Sequence, residues 1–227
     1  MSNEPLGFPV VERHEDPELL VAPESPTSRL AVFAFPRVAA VVAGSTQRLD
    51  TLDEREIAAR NLKIVRRRSG GGAVVVAPGE QVWLDLYVPS SDPLFRSDVT
   101  KASEFVGELW RSCLVDLVGD DPLVESYSGP VVESRWSRVW CFSGLGPGEV
   151  RRGQKKLVGL SQRRNRDGAW FFTMALADLD ADRDASLIAG DAAERAALAA
   201  ELRRSSTTLA AKPDDVISRL MVGLARL

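Results

Sequence analysis

Three consecutive glycines, Gly70, Gly71 and Gly72, follow Ser69 and a run of arginines, Arg66–Arg68. One glycine serves a turn that needs positive φ, but three together strip every side chain from a stretch of backbone. The usual reason is that something else must come close to that backbone. Arginines just before it point to an anion, because a guanidinium presents a fork of donors to carboxylate or phosphate. Two further basic islands, Arg151–Lys156 and Arg163–Arg166, stand in a chain of net charge −3 and pI about 5.4. The chemistry these residues suggest is binding of a small-molecule acid or a nucleotide.

Other chemistries are poorly served. The glycine triplet is not a P-loop, since no Gly-Lys-Ser/Thr follows at the required spacing. His14 is the only histidine, and Cys113 and Cys141 are the only cysteines. That inventory offers no metal site and no His-dependent triad. Two cysteines make no disulfide framework, and a reducing compartment is the default. The basic islands near Trp170 and Phe171 alternate with Leu157 and Val158, as polar strand faces do, so no nucleic-acid partner is expected of an acidic chain. The first twenty residues are polar and acidic, unlike a signal peptide, and no apolar run approaches the roughly 18 residues of a membrane span. The expectation is a cytoplasmic protein without a membrane partner.

The elements that must position the glycine stretch come next. A chain of 227 residues, 44% hydrophobic, fits one large domain. Residues 1–28 hold Pro5, Pro9, Pro17, Pro23 and Pro26 and read as an extended arm, with residues 29–227 as a single domain. Arg29–Phe35 and Val38–Ala43 are β-like runs joined by a hairpin or bend at Pro36-Arg37. Asp50-Thr51 opens a helix through Asn61. Lys63–Val88 reads as a hairpin around the glycines. Ser97–Val118 is the clearest helix, with Val106, Leu109, Trp110, Cys113 and Leu117 on one apolar stripe. Cys113 is therefore read as a small core hydrophobe. Strands are expected near Leu123–Glu125 and over Arg138–Phe142, Glu149–Arg152, Lys155–Gln162 and Ala169–Leu176. Helices follow over Ala185–Ile188, Ala192–Arg204 and Pro213–Leu227. Strands grouped rather than alternating with helices favour an α+β fold with a mostly antiparallel sheet.

These residues carry a resemblance. Arg67-Arg68-Ser69-Gly70-Gly71-Gly72-Ala73-Val74 is similar to the RRxSGGGAV signature of the lipoate-protein ligase family. Lys155 through Arg164, KKLVGLSQRR, resembles that family's second signature, a GKKIAGSAQRR-type strand. Gly44-Ser45-Thr46-Gln47 sits where the family has G-x-x-Q, and Cys141-Phe142 resembles the CF pair ahead of the lysine strand. The likeness spans roughly residues 30–180.

The resemblance implies a domain related to biotin ligases and class II synthetases, holding an acyl-adenylate pocket. Lipoate or octanoate would be activated by ATP with Mg²⁺ and passed to a lysine of a lipoyl-accepting domain or H-protein. By the same likeness Lys156 is the key lysine, bridging the acyl carbonyl oxygen and the α-phosphate. Arg67, Ser69, Gly70, Gly71, Gly72, Ala73, Gly159 and Gln47 would line the substrate and ATP site. Arg67 and Arg68 alternate along a strand, so one of them, Arg67 by preference, would face the pocket. In some relatives a cysteine at the place of Cys141 resembles an acyl-thioester nucleophile, which makes an octanoyl or lipoyl transferase the alternative; a buried strand-end cysteine is the plainer reading. The sequence also departs from the pattern. The family's aromatic-His-Asp and Gly-Asn places read Val75, Val76-Ala77 and Gly79-Glu80, and Leu160 replaces a small residue. A proline-rich arm stands where the family has its NMALDE-type helix. No C-terminal accessory domain is expected within the chain, so a separate accessory subunit is a candidate partner. A ligand- or partner-binding member without catalysis is the remaining alternative.

Overall fold

The computed structural model describes residues 7–227 except Ser25 and Asp120. Ten strands run β1 (Val10–Glu15), β2 (Leu30–Pro36), β3 (Ala40–Ala43), β4 (Lys63–Arg66), β5 (Val74–Val76), β6 (Gln81–Pro89), β7 (Val124–Ser126), β8 (Val150–Arg152), β9 (Lys155–Arg164) and β10 (Gly168–Leu176). The helices are α1 (Pro17–Leu20), α2 (Glu54–Ala59), α3 (Val99–Val118), α4 (Ala181–Ser186), α5 (Ala192–Ser205) and α6 (Pro213–Leu224). A seven-stranded sheet has the order β1-β2-β6-β10-β9-β8-β7, antiparallel except for β1 against β2. A three-stranded sheet has the order β4-β3-β5. The expected α+β class and mostly antiparallel sheet are what the chain forms.

The central strand β6 is buried along its whole length, which its sequence QVWLDLYVP anticipates. Apolar side chains therefore leave both faces of the large sheet. On one face Leu84, Leu86, Phe171 and Val158 meet the apolar stripes of α3 and α6, with Trp110 at the centre. On the other face Trp83 and Leu176 meet the small sheet, Trp140, and helices α4 and α5. Asp98 caps α3 by accepting from Thr100 N and Lys101 N, and Asp191 closes a capping box on α5. Phe8 N donates to Leu224 O at 3.1 Å, and Arg29 donates to Leu227 O, so the first described residues lie against the end of α6.

Several local expectations give way. Residues 10–15 are not part of an extended arm: they form the edge strand β1, paired in parallel with β2 from Val10–Ala31 to Glu15–Pro36. Two valines followed by four polar or charged residues permit a largely solvated edge strand, and the prolines lie outside it. Pro36-Arg37 does not close a hairpin, because β2 and β3 belong to different sheets. The helix expected from Asp50 begins at Glu54, where Asp53 accepts from Arg55 N and Glu56 N. Lys63–Val88 is not a hairpin either. β4 and β5 pair with opposite edges of β3, and β6 crosses to the large sheet. Arg138–Phe142 is not a strand; it meets Ala73 only at Trp140 and then tightens into a 3-10 turn over Cys141–Ser143.

The glycine stretch is therefore a loop passing over the end of β3. Its closest approach is at Gly44, where a β-carbon would sit 1.9 Å from the Gly71 carbonyl oxygen. Gly70 faces open space. Gly44→Ala is expected to cost at least about 2 kcal/mol in chemical denaturation, because backbone must move to admit it. Gly70→Ala is expected to stay within about 0.5 kcal/mol of the parent.

Candidate active site

Two things hold the glycine loop in place. Gly71 adopts φ +100°, which side chains rarely tolerate, and a β-carbon on Gly72 would lie 2.5 Å from Trp140 N. The loop is then stitched to its surroundings. Ser45 N donates to Ser69 O, Ala73 N donates to Val139 O, and Cys141 N donates to Ala73 O, the last two at 2.8 Å. The Ser69 and Ser161 hydroxyls are 2.9 Å apart, tying the loop to β9.

The arginines do not form the open anion cradle that their sequence suggests. Arg66 donates to the carbonyls of Gly44, Ser45 and Gln47. Arg67 folds onto Gly70 O and Gly72 O at 2.8 and 2.9 Å. Arg68 donates to Pro23 O. Arginine is thus used to collect carbonyls that the tight loop leaves unpaired. The loop's amides are free instead: among the described residues, the N–H groups of Gly70, Gly71 and Gly72 meet no acceptor. Such an array of amides is itself an anion-binding surface.

Lys156 stands across from this loop on β9. It is only 4% exposed. Its Nζ lies 2.7 Å from Glu149 Oε1, donates to Cys141 O at 3.0 Å, and sits 5.2 Å from the centre of the Phe142 ring. Glu149 is buried as well, and its oxygens also accept from Leu160 N and Gly146 N. Burial is the largest single influence and disfavours the ammonium, but the charge and hydrogen bond of Glu149, together with neighbouring Cys141, hold the Lys156 pKa above its ordinary value. Gly159 makes room for this side chain, since a β-carbon there would stand 3.2 Å from Lys156 Cε.

The cavities place the remaining candidates. A pocket of about 170 Å³ is bordered by Lys156, Glu149, Gly70–Gly72, Cys141 and Arg67. A narrow apolar slot with about 50 Å³ of free space runs beside it, walled by Val74, Val76, Trp83, Gly159, Phe172 and Met174. Arg67, Cys141, Leu160 and Ser161 border both. A third cavity of about 500 Å³ includes Gly71, Gln47, Arg48, Glu133 and Arg138. Gln47 is buried and bridges segments, donating to Val139 O and Thr51 Oγ1 and accepting from Gly44 N. Ser69 and Ala73 are buried beside the loop and border none of these three cavities. Val76, at one of the places where the family carries its polar pair, is slot wall.

Sequence reasoning missed Glu149. Its signal was available in principle: it precedes a short hairpin whose second strand starts with Lys155-Lys156. The bulge between Val150 and Arg151 shifts that pairing and hides the approach from simple alternation.

Known proteins bear on this arrangement. A chain of the archaeal lipoylation system of Thermoplasma acidophilum, a bi-partite lipoate protein ligase studied with its E2 lipoyl domain, is 17% identical with a TM-score of 0.62 over 86% of this chain and 69% of that one. A T. acidophilum structure with bound lipoic acid is 16% identical with a TM-score of 0.67, over 96% and 83%. Lipoate-protein ligase A bound with ATP is 16% identical with a TM-score of 0.61, over 86% and 70%. At these identities the likeness establishes a shared fold. No curated protein matches by sequence. A profile of the lipoyl protein ligase A/B catalytic domain matches residues 23–221. With that span covering most of the chain, and with the glycine loop and lysine strand facing each other within it, the chain belongs to the lipoyl protein ligase A/B catalytic domain family.

Proposed function

We propose that the chain activates lipoate or octanoate as an acyl-adenylate and transfers the acyl group to a lysine of a lipoyl-accepting protein. One observation carries the reading. A buried ammonium, neutralised by Glu149, borders a pocket opposite three free glycine amides, and an apolar slot runs alongside. A carboxylate is unreactive toward an amine. In the first step its oxygen attacks the α-phosphorus of ATP and pyrophosphate leaves. In the second step the acceptor amine attacks the acyl carbon, AMP leaves, and the amine gives up a proton. Both steps build negative charge on oxygens that an ammonium and backbone amides can hold. Lys156 has one N–H beyond those directed at Glu149 and Cys141 O, enough to meet such an oxygen. Arg48 and Arg138 border the adjoining cavity and suit nucleotide phosphates. Glu133 borders both of these cavities and forms no ion pair among the described residues, so it is the carboxylate that would hold a Mg²⁺ ion arriving with the nucleotide. The free space of the slot would hold only a few waters, so an eight-carbon chain needs Met174 to change rotamer, which its unbranched thioether allows. An accessory subunit supplied by another chain is compatible with this reading.

A second reading is supported by Cys141. It is half-buried and borders both the slot and the lysine pocket. There its thiolate would attack an acyl thioester, expel the donor thiol and hold the acyl group for transfer without ATP. A third, ligand-binding without turnover, remains as the outcome if neither chemistry occurs.

ATP–pyrophosphate exchange with lipoate or octanoate separates these. Exchange is expected from the wild type, with Lys156→Ala slower by at least about 100-fold; a wild type without exchange would sink the adenylate reading. Glu149→Gln removes the largest influence opposing burial, so the Lys156 pKa falls. The alkaline limb of the exchange profile then moves to lower pH, and Glu149→Asp restores it. An unmoved limb would show that Glu149 does not govern the lysine. For the cysteines, burial pushes the Cys113 thiol up to about 11. Iodoacetamide at pH 8 is therefore expected to label Cys141 and spare Cys113 in the folded protein, and Cys141→Ser is expected to retain exchange. An acyl mass increment on Cys141 from a carrier-protein donor would favour the transferase instead.

A further inference from the structure

The large sheet carries a second cavity on the same face as the slot, further along β10. Met174 pairs with Gly159 and Trp83, Phe172 with Ser161 and Asp85, and Trp170 with Arg163 and Tyr87. Alternate residues share a face, so this row continues the slot wall away from Lys156. Phe172 borders the slot and also a chamber of about 160 Å³ bordered by Arg68, Arg163, Asn165 and Trp170.

The chamber presents donors without acceptors. Among the described residues, the Arg163 side chain forms no hydrogen bond or ion pair, and the Arg68 guanidinium has a single long bond, 3.3 Å to Pro23 O. Trp170 is 4% exposed, yet its indole N–H meets no acceptor among the described residues. Tyr87 is 1% exposed, and its hydroxyl, also without a partner, lies behind Gly168 on the chamber wall. The neighbouring carboxylate, Asp167, is engaged by Arg166 and by the Asn165 amide. A buried donor left unpaired is costly, and two guanidiniums beside it select a negatively charged acceptor over a neutral one.

We propose that this chamber is an oxyanion subsite that takes a carboxylate or phosphate group. The group is either the far end of a chain lying in the slot or a free anion. Gly159 and Arg163 are four strand residues apart, on the order of 13 Å, a span a straight-chain dicarboxylic acid can bridge with one carboxylate at Lys156 and the other at Arg163. This extends the acyl-slot reading toward ω-acidic substrates, while anion binding itself requires no turnover.

The test is therefore equilibrium binding, by calorimetry, of nonanedioate, octanoate and inorganic phosphate to the full chain and to Arg163→Gln, Arg68→Gln and Lys156→Ala. Arg163 and Arg68 are exposed, and unchanged melting temperatures establish that their variants fold. A subsite for the chain end is supported by nonanedioate binding at least tenfold tighter than octanoate, with that advantage lost in Arg163→Gln and octanoate affinity unchanged. A free-anion subsite is supported by phosphate binding that Lys156→Ala retains and Arg163→Gln weakens at least tenfold. The proposal is overturned if the wild type shows neither preference, or if both arginine variants bind as the wild type does. Octanoate binding without either preference would leave the acyl slot intact and remove the subsite alone.

Discussion

A charged ammonium that is 4% exposed is the constraint from which much of this structure follows. Removing such a group from water is costly unless a counter-charge and hydrogen bonds replace hydration. Glu149 supplies the charge, and the Cys141 carbonyl a bond. Glu149 must be anchored in turn, and the amides of Gly146 and Leu160 do this. Cys141 O must be fixed, which the bond from Cys141 N to Ala73 O achieves by fastening that turn to the glycine loop. The loop's own position rests on the contact between Gly71 and Gly44. Segments from the small sheet, the central turn and the β8–β9 hairpin thus meet around one nitrogen. Its partners are one carboxylate and one backbone carbonyl, each fixed in turn by backbone amides, so the surrounding loops are ordered by the same bonds that hold the charge.

The arginine triplet has a related role. In a loop that turns this sharply, carbonyl oxygens lose their ladder partners. Arg66 and Arg67 between them take up carbonyls of Gly44, Ser45, Gln47, Gly70 and Gly72. The amides on the loop are left over as donors. The electropositive character of the site therefore comes from backbone dipoles and one lysine, with Arg67 standing between slot and lysine pocket.

The long elements were legible because their periodicity is strong: α3, β6, β9 and β10 follow their apolar patterns within a few residues. The two signature segments were legible as a pair, and the fold brings them face to face. Pairing partners were less legible. Lys63–Arg66 and Val74–Val76 look like two arms of one hairpin, but register depends on which third strand lies between them, and β3 does. β1 was hidden because proline-rich flanks read locally as extended, while its pairing with β2 is a tertiary fact. Glu149 was hidden by a bulge. At Val76 the departure from the family's polar residues has a physical use: apolar wall beside the slot.

The bond from Phe8 N to Leu224 O joins opposite ends of the described chain. Closing so long a loop carries an entropic cost that grows slowly, by about 0.6 kcal/mol per doubling, but it must be met before the contact repays it. On a ribosome, the first strand can pair with β2 early, whereas its leading residues have nowhere to dock until α6 has been made. Helix α6 completes the core on the α3 face of the large sheet, which includes Phe8. Synthesis from the N-terminus therefore leaves an apolar seam open until α6 has been made, and the nascent chain depends on protection from aggregation until α6 emerges.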